Sequence, residues 1–150
     1  MARTDSRNLK TAAVGDDPLS RLPGYSLRRA ANAMMAELGA LLDAVDLRIS
    51  EASILLLIDG REDMTSSAIG TVLDIRSANM VPLLNRLSHQ GLIEKVPLDG
   101  KSLAIVLSDK GRAKLAEVQA ITEKFENDLL RRIPAAHRAH FVPALNALWR

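Results

Sequence analysis

Apolar residues recur at three- and four-residue intervals along most of the chain from about residue 25 onward. This spacing places them on one side of a helix, so each such stretch predicts a helix with a buried face. Residues 1–24 lack this period and contain Gly15, Pro18 and Pro23, so we predict a flexible N-terminal arm there. Residues 25–150 are expected to form a single domain.

The first predicted helix covers about residues 25–48 and is apolar on two sides, as expected of an element packed between subunits. Three short helices follow before residue 91. Ser50 and Thr65 are the expected N-caps of the first two, and Asp59-Gly60 ends the first of them. The third covers about residues 80–90 and ends at Gly91.

The position of Pro82 constrains where this third helix can begin. Proline fits the first turn of a helix but disrupts its interior. If Asn79 is the N-cap, Pro82 occupies the third helical position at no cost, whereas a start at Ser77 requires a kink. We therefore predict the start at Asn79.

The pattern changes after Gly91. Residues 92–96 and 103–107 are rich in β-forming residues, and Asp99-Gly100 between them predicts a tight hairpin turn. Ser108 then caps a long helix over residues 109–133, and a last helix follows Pro134 over about 135–148. The fold class is mainly α with a small β-hairpin.

Composition excludes several classes of function. Apolar residues make up 47% of the chain and charged residues 25%, as in ordinary soluble domains. The chain has no cysteine, which excludes disulfides, thiolate metal sites and thiol chemistry. No apolar run is long enough to span a bilayer, so we expect a cytoplasmic protein with no membrane partner. Because no phosphate loop, nucleophile elbow or metal-ligand cluster is present, we predict a non-enzymatic protein without cofactor or metal.

The order helix, turn, helix, hairpin is that of a winged helix-turn-helix. In that motif the second helix enters the DNA major groove and the hairpin, or wing, contacts the minor groove or phosphates. Residues 85–93 resemble the "DRLxxxGLI" motif of the MarR (multiple antibiotic resistance regulator) family. Residues 99–102 and 107–111 are similar to its "DxR-S" and "LTxxG" motifs, and residues 50–57 and 64–70 resemble its preceding helices. The resemblance covers about residues 25–148.

This resemblance implies a transcriptional regulator, specifically a ligand-responsive repressor that binds a pseudo-palindromic operator in double-stranded DNA as a homodimer. Residues 50–107 would form the winged helix-turn-helix, and residues 25–48 and 108–150 the dimerisation helices. The family typically holds an aromatic, phenolic or acyl-CoA effector between the two parts. By resemblance the effector pocket would include Met35, Leu38, Leu42, Arg48 and Leu57.

Polar side chains on the second helix and the wing are the candidate DNA contacts. Lys101 stands where the family usually has arginine, which favours a phosphate contact or a loosely held groove contact over an oriented one. Asp99 and Gly100 are expected to form the wing turn. Arg86 can also be a solvated surface residue, although its place in the motif favours DNA contact, and His89 can equally serve the helix dipole. The predicted DNA-binding residues are Ser77, Asn79, Asn85, Arg86, His89 and Lys101.

Charge leaves a second hypothesis open. The net charge of the whole chain is only +2, and residues 65–105 carry four cations against three anions. A winged helix that has lost DNA contact and serves as a dimerisation or protein-interaction module would also fit this balance.

Overall fold

The computed structural model describes residues 17–150. These residues divide into two compact units, one ending at Glu37 and the other covering Leu38–Arg150. The part of the predicted arm before residue 17 lies outside the described residues. In the described part of the first unit, a 3-10 turn at Pro18–Arg21 is capped by Asp17, whose Oδ1 accepts a hydrogen bond from Leu19 N at 2.9 Å. The first α-helix begins directly afterwards, at Pro23.

Residues 17–150 contain six α-helices, one two-stranded antiparallel sheet and a second 3-10 turn at Ala135–His137. This architecture confirms the predicted fold class. The helices and strands, in chain order, are α1 (Pro23–Asp43), α2 (Ile49–Ile58), α3 (Ser66–Leu73), α4 (Ser77–His89), β1 (Ile93–Asp99), β2 (Ser102–Leu107), α5 (Asp109–Arg132) and α6 (Arg138–Asn146).

Several predicted helix ends match the structure because local chemistry determines them. Thr65 caps α3, with its hydroxyl accepting from Ala68 N at 3.2 Å. Ser108 caps α5 in the same way through Gly111 N at 2.9 Å. Ser50, in contrast, is not the cap of α2, which begins at Ile49 with Arg48 as its N-cap, two residues earlier than predicted.

The predicted start of α4 is wrong. The helix begins at Ser77 with Arg76 as its N-cap, so Pro82 lies in the helix interior at the sixth position. The missing proline amide leaves the Ala78 carbonyl without its usual helical donor. The turn after α3 explains the early start, because Asp74 takes a left-handed conformation (φ 53°) and Ile75 N donates to Gly70 O at 2.8 Å. This compact turn brings the chain into helical geometry before Asn79.

The core of the second unit lies among α2, α3, α4, α5 and the sheet. Its side chains come from the apolar stripes that the sequence pattern marks, and burying each such side chain contributes about 1.5–3 kcal/mol. The largest fully buried apolar residues are Leu42, Leu47, Ile54, Leu55, Ile58, Ile69, Met80, Leu87, Leu92, Ile105 and Val118.

The hairpin is anchored at its base to the segment before α3. In the register of the sheet, Ile93 faces Leu107 and Lys95 faces Ile105. Ile105 N also donates to Met64 O at 2.8 Å, and Thr65 forms an isolated bridge with Ala104. The wing is therefore held beside the start of α3. None of the helices within residues 17–150 is long and apolar enough to cross a membrane.

Candidate nucleic-acid interface

The outer surface of α4 carries most of the predicted polar contacts. Ser77, Asn85 and His89 are exposed along this helix, while Met80, Leu84 and Leu87 on its other side are buried. The helix therefore has the two faces that a recognition helix needs, one packed on the core and one turned to solvent.

Asn79 lies on a different flank of α4 from Asn85. It lines a recess of about 510 Å³ together with Arg48, the residue before α2, and Arg76, the N-cap of α4. The two predicted asparagines thus face different surroundings. Only Asn85 lies on the side of α4 that faces the wing strands, where it lines a smaller recess with Lys95.

Arg86 is half-buried and pairs with two carboxylates of the protein. Its Nε lies 2.9 Å from Oε1 of Glu51, a carboxylate with no exposed surface, and its Nη2 donates to Asp46 Oδ1 at 2.8 Å. Gln90, one turn later, donates from Nε2 to the other carboxylate oxygen of Asp46 at 2.9 Å. A contact between Arg86 and DNA stays a prediction. The contacts of Arg86 with Glu51 and Asp46, in contrast, are present in the structure. Arg86, Glu51, Asp46 and Gln90 form a set that we call the α4 clasp.

The α4 clasp joins α4 to the chain that connects α1 with α2. Asp46 has a left-handed backbone conformation (φ 57°), which aspartate tolerates better than most residues. Its main-chain carbonyl also accepts from Arg86 Nη2 at 3.2 Å and from Gln90 Nε2 at 3.1 Å. Glu51 caps α2 as well, since its Oε2 accepts from Arg48 N at 2.8 Å. From α5, Lys114 Nζ donates to Val45 O in the same connection at 3.3 Å.

The wing turn forms where the sequence predicts it. Asp99 is paired with Ser102 across the hairpin, and Gly100 and Lys101 make the turn. Gly100 has a positive φ of 43°, which suits glycine. Lys101 is exposed at the tip, and the ion pairs found within residues 17–150 do not include one between it and Asp99.

Sequence reasoning missed Arg76 as a candidate contact. Its exposed side chain lines a recess of about 420 Å³ between α3 and α4. Four hydroxyl groups line the same recess, from Ser66, Ser67, Thr71 and the predicted contact Ser77. A cation with hydroxyl donors is a suitable set for a DNA phosphate. The sequence did contain a signal for this contact, because Arg76 is a basic residue directly before the recognition helix.

Sequence reasoning also missed the role of Glu51. This residue precedes Ile54, Leu55 and Ile58 by three, four and seven positions, so it shares their buried face of α2. A buried carboxylate on an apolar stripe requires a cation or a hydrogen-bond donor as its partner. The position of Glu51 in the stripe was therefore a signal in the sequence for such a partner.

The predicted effector residues lie in different environments. Leu42 is part of the buried core, and Leu38 and Leu57 are half-buried against it. Arg48 is exposed beside the 510 Å³ recess. Met35 belongs to the first compact unit and is 51% exposed. The effector pocket stays a prediction.

A helix-turn-helix followed directly by an antiparallel hairpin defines the winged helix-turn-helix class. Comparison with known proteins assigns the family. A structure of the transcriptional repressor CouR bound to a 23-mer DNA duplex is 30% identical, with a TM-score of 0.81 over 88% of this chain and 95% of that chain. The chain belongs to the MarR family of transcriptional regulators.

Two further solved structures are similar. CouR bound to p-coumaroyl-CoA is 28% identical with a TM-score of 0.78, covering 91% of this chain and 98% of that one. A Mycobacterium tuberculosis MarR family protein, Rv2887, in complex with salicylic acid is 23% identical with a TM-score of 0.67, covering 90% and 98%. The latter likeness supports the fold. No protein-family model and no curated protein sequence matches the chain.

Proposed function

We propose that this regulator is a ligand-responsive repressor that binds a pseudo-palindromic operator as a homodimer. The observation that carries the proposal is the exposed outer face of α4, next to the anchored wing, in a chain 30% identical to a DNA-bound repressor. Its action would be binding alone, without chemical conversion of a substrate.

Operator contact divides between bases and phosphates. In the proposed complex, Ser77, Asn85 and His89 face the major groove from α4. Arg76 and the hydroxyls beside it bind phosphate, and Lys101 brings the wing to the neighbouring backbone or minor groove. Arg86 orients α4 through the α4 clasp.

Dimerisation is supported by exposed apolar side chains near both ends of the described chain. Large apolar residues that remain exposed on a single chain are a usual feature of subunit interfaces. They are Leu27, Met35 and Leu41 on α1, and Val142, Leu148 and Trp149 at the C-terminal end. Two α4 helices related by a two-fold axis would read half-sites about 10 bp apart.

Selection from random-sequence DNA is expected to recover a pseudo-palindrome that the protein binds with a strong salt dependence. Arg76→Ala should weaken binding to all sequences by a similar factor. It should also lower the slope of log K against log salt by about 2 per dimer, because each subunit loses one phosphate contact. Fluorescence anisotropy across a salt series measures both quantities.

Arg112→Ala is the matched control for this experiment. Its exposed guanidinium lines a recess beside Glu94 and Val96, on the face of the hairpin opposite to Lys95. This control should leave the slope unchanged. If the wild-type protein bound no genomic or selected DNA at low salt, the proposal of a repressor would be contradicted. That result would favour the alternative hypothesis of a protein-interaction module.

Effector binding is proposed to favour a dimer whose α4 helices no longer match the operator. A preference of a few kcal/mol for that form is sufficient for release. Since related structures hold p-coumaroyl-CoA or salicylic acid, phenolic acids and their CoA thioesters are the compounds to screen.

An effector present at 100 times its Kd is expected to stabilise the protein by about 2.7 kcal/mol, or roughly 5–10 °C in Tm. The same compound should release the selected operator in a gel shift. Free coenzyme A is the matched control for the thioesters. If no compound both raises Tm and lowers operator affinity, ligand-responsive repression is wrong for these chemical classes.

A further inference from the structure

The exposed face of α4 carries no charge over two and a half turns. Between Arg76 and Arg86 the sequence has no charged side chain, and Ala78, Val81 and Pro82 are all exposed. Val81 is 57% exposed, so its methyl groups are accessible on the solvent side of α4. A helix surface of this kind can read base edges through apolar contact as well as through hydrogen bonds.

Val81 also lies at a recess between α4 and the wing strands. The recess has a volume of about 140 Å³, and Leu103 on its far side is 46% exposed. Asn85, one helical turn after Val81, lines the same recess, as does Lys95. Apolar, amide and cationic side chains therefore meet at one point of the surface, beside the outer face of α4.

The chemistry of this point matches an A·T base pair. In the major groove only thymine presents a methyl group, and adenine presents the N7 acceptor and N6 donor that an asparagine amide can bind together. A guanine or cytosine edge offers nothing to an exposed valine. The cation at Lys95 is suited to the adjoining phosphate.

We propose that Val81 is a specificity-determining residue that contacts the 5-methyl group of a thymine in each half-site. Asn85, on the same side of α4, binds an adenine edge in the same or the next base pair. This inference rests on the proposed operator binding and specifies which bases α4 selects.

The test replaces each thymine of the selected operator in turn with deoxyuridine, which removes only the 5-methyl group. We expect one thymine position in each half-site to respond. Replacing the thymine at that position in a single half-site should lower the affinity of the wild-type protein about fourfold, which corresponds to the loss of one buried methyl-sized group. Replacing both symmetry-related thymines should lower it about fifteenfold. Fluorescence anisotropy at a fixed salt concentration measures the ratio.

Val81→Ala should bring the thymine-to-deoxyuridine ratio at that position close to one, because the methyl group has lost its contact. Val72→Ala is the matched control, since Val72 is also 57% exposed but lies on α3. It should keep the wild-type ratio.

If the protein bound thymine and deoxyuridine operators equally at every position, the inference would be overturned, while the proposed repressor function would be unaffected. The inference would also be overturned if Val81→Ala kept the full ratio. Absence of binding to any DNA would remove the proposed function itself, so the two failures are distinguishable.

Discussion

Arg86→Ala is expected to lower the free energy of unfolding by about 2–4 kcal/mol. The variant leaves the Glu51 carboxylate buried without its cation, and removing one partner of a buried ion pair costs several kcal/mol. We place the effect below the upper end of that range because the Arg86 side chain is 36% exposed and Glu51 keeps its hydrogen bond from Arg48 N. Urea unfolding measures the change directly.

A double-mutant cycle isolates the buried charge as the cause. Adding Glu51→Gln to Arg86→Ala should recover part of the lost stability, because a neutral amide is less costly to bury without an ion-pair partner. Arg112→Ala is the matched surface control and should cost less than about 1 kcal/mol, since its ion pair with Asp109 is exposed at 3.7 Å. An Arg86→Ala variant as stable as the wild type would contradict the structural role assigned to the α4 clasp.

Gly111→Ala is expected to destabilise the protein by about 3 kcal/mol. A Cβ atom at Gly111 would lie 1.9 Å from the carbonyl oxygen of Leu92, a backbone atom that cannot rotate away. Relief of this overlap requires α5 to move away from Leu92, the residue directly before β1, and overpacking of a rigid site costs about 1–3 kcal/mol or more. The melting temperature should fall by roughly 6–12 °C in a chain of this size.

The same substitution should weaken operator binding, because the contacts between the start of α5 and the end of α4 depend on the close approach of Gly111 to Leu92. Ser108 donates from Oγ to Gly91 O at 2.5 Å, and Lys110 donates from Nζ to Gln90 O at 2.8 Å. Both contacts come from the first turn of α5 or its cap. Displacing that turn would remove two restraints on the end of α4.

Gly24→Ala is the matched glycine control. It also lies in a helix, and a Cβ there would meet nothing within 4 Å. This variant should keep or slightly raise Tm, since alanine favours a helix by up to about 1 kcal/mol over glycine. Equal melting temperatures for the Gly111→Ala protein and the wild type would show that the contact with Leu92 can relax.

The helices and the hairpin could be predicted from the sequence because local patterns determine them. The three- and four-residue spacing of apolar residues marked each helix, and Asp99-Gly100 marked the turn between the strands. Cap residues whose side chains bond to neighbouring amides, such as Thr65 and Ser108, were found for the same reason. The motif order of residues 50–111 resembled that of the MarR family, and comparison with a solved structure confirmed this assignment.

The start of α4 was predicted wrongly because the deciding contacts are outside the helix. Local propensity favours Pro82 in a first turn. The turn between α3 and α4, with Asp74 in a left-handed conformation, instead starts the helix at Ser77. Packing of Met80, Leu84 and Leu87 into the core then compensates for a hydrogen bond that proline cannot make.

The sequence by itself determined the fold class and the order of the elements, since these depend on periodicity and on residues near one another in the chain. Only the tertiary structure decided that Arg86 lies between Asp46 and Glu51, 40 and 35 positions earlier. It alone also placed Val81 beside Leu103 at the recess next to the wing. Such contacts join residues far apart in sequence, and no local pattern specifies which distant side chain will occupy the space that packing leaves.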